Sequence, residues 1–102
     1  MPRRWRWWPY GRVRVSGRSM RPTLVDGDLL VVRWGAAPRP GQLVVIRLPD
    51  GTPAVKRAFR RDAQGLWVER DNPRQGVDSW QIGAIPEPDV LGTVLLRYRR
   101  GS

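Results

Sequence analysis

Short β-type runs, each ended by proline or glycine, constrain the fold of this chain more than any other feature. Val13 and Val15 alternate with arginines. Further runs lie at residues 28–33, 42–48, 53–60, 66–70 and 93–98. Turn-forming sequences at residues 49–51 and 62–65 are typical of hairpins, and no stretch of ten residues has a helical period. The sequence therefore predicts an all-β fold of short antiparallel strands.

The length indicates a single domain. A chain of 102 residues buries about 60 to 70% of its unfolded surface, which suffices for one modest core and one site. We expect residues 1–11 to form a basic tail rich in Trp and Arg, or a short edge element, because two prolines interrupt any helix there. Residues 12–100 are expected to form the domain. The loop at residues 72–89 is the longest irregular segment, and such loops are often functional.

The absence of two residue types removes much of the usual catalytic chemistry. The sequence has no Cys and no His, which excludes disulfides, thiol nucleophiles, Cys/His zinc sites and Ser-His-Asp triads. No metal-ligand spacing or nucleotide loop is evident, so no metal or cofactor is expected. No uncharged apolar run approaches the ~20 residues of a membrane-spanning helix. We therefore expect a cytoplasmic protein, with peripheral membrane contact through the Trp and Arg of residues 3–8 as a further possibility.

One basic residue differs from all the others. Of the 19 Lys and Arg residues, only Lys56 is lysine. Arginine keeps its proton in proteins, whereas a desolvated lysine can lose one and act as a base. If residues 55–59 form a strand, Lys56 shares a face with the small side chains of Ala54 and Ala58. The alternative is a lysine whose amine simply reaches solvent.

A serine-containing turn provides a hydroxyl for that base. Ser19 lies 37 residues before Lys56, between the run that ends at Val15 and the turn-forming Met20-Arg21-Pro22. Nucleophiles are commonly exposed on such turns. The alternative is that Ser16, Ser19 and Thr23 only satisfy backbone groups of the turn.

A set of sequence boxes between residues 13 and 97 resembles, in order and spacing, the boxes of type I signal peptidases. The boxes are Ser19-Met20-Arg21-Pro22-Thr23-Leu24, Gly27-Asp28, Val55-Lys56-Arg57, Asp71-Asn72-Pro73 and Asp78-Ser79 with Gly83. The resemblance implies a serine endopeptidase on a signal-peptidase-like β-fold. In that reading Ser19 attacks the scissile carbonyl and Lys56 takes its proton.

The resemblance also implies roles for other residues. The Ser19 N–H would bind the oxyanion, and Gly17 stands where some relatives place a second, hydroxyl donor. The substrate would lie extended beside the lysine strand. The implied substrate-binding residues are Met20, Pro22, Pro53, Ala54 and Val55. The implied structural supports are Asp28, Arg57, Asp78 and Ser79, with Asp78 pairing with Arg57.

The chain departs from that pattern at several places. Arg70 replaces the Gly of the usual Gly-Asp-Asn opening, and Trp80 replaces an arginine. Gly76 stands at the position of the serine that commonly supports the lysine, so Ser79 or a backbone carbonyl would have to support Lys56. Signal peptidases carry a membrane anchor before the serine box, and we expect none here.

Small size, the missing anchor and an Arg/Pro-rich composition make the chain similar to nickel-type superoxide dismutase maturation proteases. This implies that its partner is a nickel superoxide dismutase precursor, from which it removes an N-terminal leader. A self-cleaving repressor-type peptidase shares the Ser-Lys chemistry, but it would need a DNA-binding module for which we expect no room.

The rival interpretation is a small basic β-barrel that binds single-stranded nucleic acid. The formal net charge is +10, and arginines would track phosphates while tryptophans stack on bases. The tryptophans are Trp5, Trp7, Trp8, Trp34, Trp67 and Trp80. This interpretation gives no reason for a single lysine or for the serine turn, so nucleic acid is not expected to be an obligatory partner. Carboxylate chemistry at Asp26 and Asp28, or at Asp71 and Asp78, is a further alternative.

Overall fold

One antiparallel sheet of six strands forms the framework of the protein. The computed structural model describes residues 9–101 and confirms the all-β fold class. The strands are β1 (Tyr10–Arg14), β2 (Leu29–Trp34), β3 (Leu43–Arg47), β4 (Pro53–Asp62), β5 (Gly65–Glu69) and β6 (Val90–Arg99). A four-residue helix, α1 (Ser79–Ile82), and a 3-10 turn (Glu87–Asp89) precede β6.

The hairpin turns form where the sequence predicts them. Asp50 accepts a hydrogen bond from the Thr52 N–H at 2.9 Å in the β3–β4 turn. Asp62 accepts one from the Gln64 N–H at 2.8 Å in the β4–β5 turn. Such short carboxylate bonds to the backbone two residues on stabilise tight turns. Each predicted run becomes a strand, although β4 and β6 extend into exposed, charged residues that the apolar pattern does not mark.

The start of the first strand differs from the predicted tail boundary. β1 begins at Tyr10, so residues 10 and 11 belong to an edge strand rather than to the tail. The proposed membrane-contacting residues 3–8, together with Trp5, Trp7 and Trp8, lie outside the described residues.

The strand order places hydrophobic cores on both faces of the sheet. The order is β1-β2-β6-β3-β4-β5. One core contains Val15, Met20, Leu24, Leu30, Val32, Val45 and Val55. The other contains Val44, Ile46, Ala58, Leu66, Val68 and Ile85. Alternate residues of the central strands enter different cores, as the period of two in a strand requires.

Strand β4 changes partner halfway along its length. Residues 53–57 pair with β3, and residues 57–62 pair with β5. Among residues 9–101, the edge of β4 that faces away from β3 therefore has no strand partner over residues 53–56. This edge contains the lysine of interest.

Two irregular segments meet beside that edge. The first, which we call the serine loop, comprises residues 16–27 between β1 and β2. The second, which we call the 70–78 loop, follows β5 and ends at Asp78, whose side chain accepts the Trp80 N–H at 3.2 Å to cap α1. Gln81 completes a capping box, because its side chain accepts the Asp78 N–H at 2.9 Å.

Buried Asp28 holds the base of the serine loop. Its carboxylate is fully buried and accepts the Val25 N–H at 2.9 Å, the Gly101 N–H and the Arg97 guanidinium at 3.3 Å. Burial alone would raise the pKa of Asp28, but these donors outweigh it and hold the pKa below its ordinary value. The carboxylate therefore stays ionised and keeps the loop attached to β6 and the C-terminal segment.

Within residues 9–101, the protein has no helix with the length and hydrophobicity needed to cross a bilayer.

Candidate active site

The nucleophile candidate is held by a tight turn in the serine loop. The Arg21 N–H donates to the Arg18 carbonyl at 3.2 Å, which closes a turn around Ser19 and Met20. The Met20 side chain is buried in the first core, with 2% of its surface exposed. Because Met20 is anchored, the neighbouring Ser19 is half-buried at the surface of the loop rather than mobile in solvent.

The base candidate is buried in β4. Lys56 is 2% exposed, and its Nζ makes no hydrogen bond to residues 9–101. Burial lowers the pKa of Lys56, Arg70 lowers it further by charge repulsion, and the Asp78 carboxylate opposes both effects. Desolvation of the charged form is therefore what favours a neutral amine here.

The backbone of Gly76 brings the two side chains together. A Cβ atom built at Gly76 would lie 3.3 Å from Lys56 Nζ, 3.5 Å from Ser19 Oγ and 2.5 Å from Ser19 Cβ. The distance between Lys56 Nζ and Ser19 Oγ therefore cannot exceed the sum of 3.3 Å and 3.5 Å. The structure thus places the two predicted catalytic side chains on one side of the molecule, around one glycine.

Gly76 is the residue that the local geometry requires. Its φ is +81°, a conformation that costs other L-residues about 1–2 kcal/mol. Any side chain would also collide with Ser19 Cβ. A serine at this position, as in type I signal peptidases, would not fit, and the space it would fill is occupied by Ser19 itself.

The suggested substitute for that serine has another partner. Ser79 is buried, and its Oγ accepts the Val68 N–H at 2.8 Å, which ties α1 to β5. Asp78 lies near enough to Lys56 to raise its pKa, while its side chain caps α1. The lysine is thus surrounded by packing and charge, with no side chain of the described residues hydrogen-bonded to Nζ.

Two backbone N–H groups were candidates for binding an oxyanion. The Ser19 N–H has no hydrogen-bond acceptor within residues 9–101, so it is available to a ligand. The Gly17 N–H donates to Asp26 Oδ1 at 2.9 Å. Gly17, with φ of +87°, therefore serves the turn and offers no second donor.

A groove of about 900 Å³ opens over Ser19 and Lys56. It is lined by Ser19, Met20, Pro53, Ala54, Val55 and Lys56, together with residues 13–18, Trp34, Val45, Leu48, Asp50, Thr52, Leu91 and residues 75–77. Among the predicted substrate-binding residues, Pro22 is exposed and does not line this groove.

The predicted ion pair between Arg57 and Asp78 is wrong. Arg57 binds Asp71 through two hydrogen bonds, Nε–Oδ1 at 3.1 Å and Nη2–Oδ2 at 2.6 Å. The β4–β5 register pairs Arg57 with Glu69, so the chain leaving β5 brings Asp71 to this guanidinium. Asp78 is instead 3.9 Å from Arg70.

Arg70 is a site residue that the sequence argument passed over. Its guanidinium donates to the Gly76 carbonyl and to Gln81 Oε1, which holds the 70–78 loop against the dyad. The sequence marked Arg70 only as a departure from a glycine. Its position one residue after β5, in a hairpin that contains Lys56, could have indicated this proximity.

The remaining candidate chemistry receives no support from the described residues. No group of three or more acidic residues within residues 9–101 is arranged to hold a metal ion. Asp26 and Asp28 bind backbone N–H groups of the serine loop, and Asp71 is occupied by Arg57. These carboxylates stabilise the loops.

Comparison with known proteins agrees with a peptidase-type site. The family described as Peptidase S24-like matches residues 9–95, a span that contains both loops and all six strands except the end of β6. This chain is a member of the Peptidase S24-like family. The match supports the coarser part of the expectation, a peptidase-type family, whereas the relatives are named LexA repressor and not nickel superoxide dismutase maturation protease.

Three relatives illustrate the similarity of this S24-like chain. It is 44% identical over 80 residues to the LexA repressor of Methylococcus capsulatus, covering 78% of this chain and 37% of the relative. It is 37% identical over 86 residues to the LexA repressor of Paracidovorax citrulli, covering 83% and 38%. It is 47% identical over 62 residues to the LexA repressor of Delftia acidovorans, covering 60% and 27%. The chain thus spans less than two fifths of each relative's length.

Proposed function

We propose that this protein is a serine endopeptidase in which Ser19 is the nucleophile and Lys56 is the general base. The observation that carries the proposal is the approach of Ser19 Oγ and Lys56 Nζ to the same point at Gly76. Three further features support it: the lysine is buried, the Ser19 N–H is free, and a groove opens over both side chains.

The proposed reaction has two stages. Lys56 takes the proton of Ser19 Oγ as that oxygen attacks the scissile carbonyl, and the Ser19 N–H binds the resulting oxyanion. Lys56 then gives the proton to the leaving amine, which leaves an acyl group on Ser19. Water, deprotonated by Lys56, attacks this ester; Lys56 returns the proton to the departing Ser19 Oγ, and the second product is released as the acid.

The unpaired edge of β4 provides a place for an extended substrate. Residues 53–56 have free backbone groups on the side that faces the groove. An extended peptide can add to such an edge as a further strand, and its alternate side chains would then point into the groove. This arrangement would carry the scissile carbonyl along the strand toward Ser19.

The nucleophile can be tested with a fluorophosphonate probe, which phosphonylates activated serines. We expect labelling at Ser19, identified by mass spectrometry, and loss of labelling in Ser19→Ala and Lys56→Arg. The Lys56→Arg variant keeps the positive charge but cannot accept a proton at neutral pH. Labelling of Lys56→Arg at the wild-type rate would exclude the proposed base. Circular dichroism of each variant would verify that it is folded.

For the substrate, we propose the leader of a nickel superoxide dismutase precursor, cleaved in the cytoplasm. The support is the sequence resemblance described above, together with a groove that takes an extended segment. The alternative is a self-cleaving repressor-type peptidase, which is favoured by the name shared by the relatives, LexA repressor.

The two substrates are distinguished by incubating purified protein with and without the precursor. We expect the precursor to lose its leader in the presence of wild type and to stay intact with Ser19→Ala, while the mass of the peptidase itself is unchanged. If the precursor stays intact while Ser19 still reacts with the fluorophosphonate, this substrate is rejected but the proposed peptidase activity is not. Ser19-dependent cleavage of the chain itself would favour the alternative.

One observation favours the nucleic-acid interpretation as a second candidate. Phe59, Trp67 and Trp80 form one cluster in which Phe59 and Trp80 are exposed and Trp67 is half-buried, with ring centroids 5.6 Å apart for Phe59–Trp80 and 5.3 Å apart for Trp67–Trp80. The Arg60 guanidinium lies 5.4 Å from the Trp67 ring centroid. Such surfaces can stack on unpaired bases.

The partners of the two indoles oppose that interpretation. Trp67 Nε1 donates to Asp62 at 2.7 Å, and Trp80 Nε1 donates to Glu69 at 3.1 Å. These carboxylates place negative charge beside the rings, where it would repel phosphates. A titration of labelled single strands at increasing salt decides the matter, because a true binder loses affinity steeply. We expect only weak binding that does not depend on Trp67 or Trp80.

A further inference from the structure

Asn72 connects the 70–78 loop to the backbone on both sides of the nucleophile. Its side-chain Nδ2 donates to the Arg18 carbonyl at 2.8 Å. Its backbone N–H donates to the Ser19 carbonyl at 2.8 Å. The carbonyls before and after the Ser19 Cα atom are thus both held by one residue, which lies far from them in the sequence.

The bond to Arg18 also fixes the direction of the Ser19 N–H. A peptide group is planar and almost always trans, so its C=O and N–H point in opposite directions. The Arg18 carbonyl and the Ser19 N–H belong to the same peptide group. Because that carbonyl is held by Asn72 and by the Arg21 N–H at 3.2 Å, rotation of the peptide plane is prevented.

We propose that Asn72 is a positioning residue that aims the Ser19 N–H at the developing oxyanion. The inference rests on the proposed function and adds to it a residue whose side chain does not touch the reacting atoms. With Gly17 N–H bound to Asp26, the Ser19 N–H is the free donor next to Oγ. Its orientation therefore matters more than it would in a site with several donors.

The Asn72 side chain permits a matched substitution. Its Oδ1 accepts the Arg74 N–H at 3.0 Å, while its Nδ2 makes the bond to Arg18. Asn72→Asp keeps the size and the acceptor for Arg74 but removes the donor. Thr23→Val is the control, because Thr23 makes a bond of 2.6 Å to Asp71 between the same two loops without touching the peptide before Ser19.

The experiment measures the rate of Ser19 phosphonylation by a fluorophosphonate across pH. Attack at phosphorus develops negative charge on the phosphoryl oxygen, so the rate depends on both the base and the oxyanion donor. We expect Asn72→Asp to lower the maximal rate, taken on the plateau at high pH where the base is neutral in both proteins, by about 10- to 100-fold. We expect Thr23→Val to lower the rate less than threefold, although its melting temperature should be similar to that of Asn72→Asp.

Each outcome has a separate meaning. Equal rates for Asn72→Asp and wild type would overturn the positioning role while the peptidase proposal stands. A loss of maximal rate that is matched by Thr23→Val would also overturn it, because loop docking alone would then explain the result. If wild type itself fails to react at Ser19, the proposed function falls instead.

Discussion

Substitution of Gly76 by alanine tests the geometry of the dyad most directly. The added Cβ would lie 2.5 Å from Ser19 Cβ, whereas carbon atoms in contact need about 3.5–4.0 Å. Ser19 or Gly76 must therefore move by about 1 Å, a displacement that can lower a catalytic rate about 100-fold. We expect a positive-φ cost of about 1–2 kcal/mol and an overpacking cost of about 1–3 kcal/mol.

Gly41→Ala separates these two costs. Gly41 has φ of +91° and no atom within 4 Å of a built Cβ, so only the backbone cost applies to it. Urea denaturation should show Gly76→Ala to be less stable than Gly41→Ala, and only Gly76→Ala should lose fluorophosphonate labelling. Equal stability of the two variants, with wild-type labelling of Gly76→Ala, would refute the close approach on which the site depends.

Three further predictions concern charge. Burial lowers the pKa of Lys56, so near neutral pH the unfolded chain binds more protons than the folded one, and wild-type stability rises with pH toward 10.5. Lys56→Met should therefore be more stable than wild type at pH 7, and its advantage in the free energy of unfolding should shrink at pH 10. An advantage of the same size at both pH values would contradict this reasoning. Burial acts to raise the pKa of Asp71, but Arg57 and Thr23 bind it and hold the pKa below 3.8. The ionised Asp71 carboxylate therefore stabilises the fold above pH 3.8, and this contribution is lost on acidification. Asp71→Asn should lower the free energy of unfolding by about 1–3 kcal/mol at pH 7 but by little in acid, which urea denaturation at several pH values would measure. Asp78 raises the pKa of Lys56, so Asp78→Asn, which retains a helix cap, should shift the labelling profile to lower pH; an unchanged profile would remove Asp78 from the electrostatics of the base.

The strands could be predicted from local features of the sequence, and so could the choice of Ser19 and Lys56 as the candidate pair. Alternating apolar residues and turn residues report directly on the backbone, so the six strands appear close to their predicted positions. The lysine was identified because its chemistry differs from that of arginine, and the structure brings it to Ser19. The strand positions and the candidate lysine depend only on residue type and spacing, both of which can be read from the sequence.

The contacts between the loops could not be predicted from the sequence, because they depend on which segments meet in the folded protein. Nothing in the sequence alone separates Asp71 from Asp78 as the partner of Arg57; the β4–β5 register decides between them. Asn72 was visible as part of a box, but its two bonds to the serine loop need the fold. The role of Gly76 could not be predicted either, because it depends on which atoms surround that glycine in the folded protein.

The distance along the chain between Ser19 and Lys56 has a consequence for when activity can arise. In an incompletely folded chain the lysine is hydrated, and an amine in water stays protonated at neutral pH. The serine then has no base, and no donor is aimed at a bound carbonyl. Only the folded chain brings Ser19 and Lys56 to the same glycine, so under the proposed mechanism a nascent or partly unfolded molecule would be inert, and activity would appear together with the finished tertiary structure.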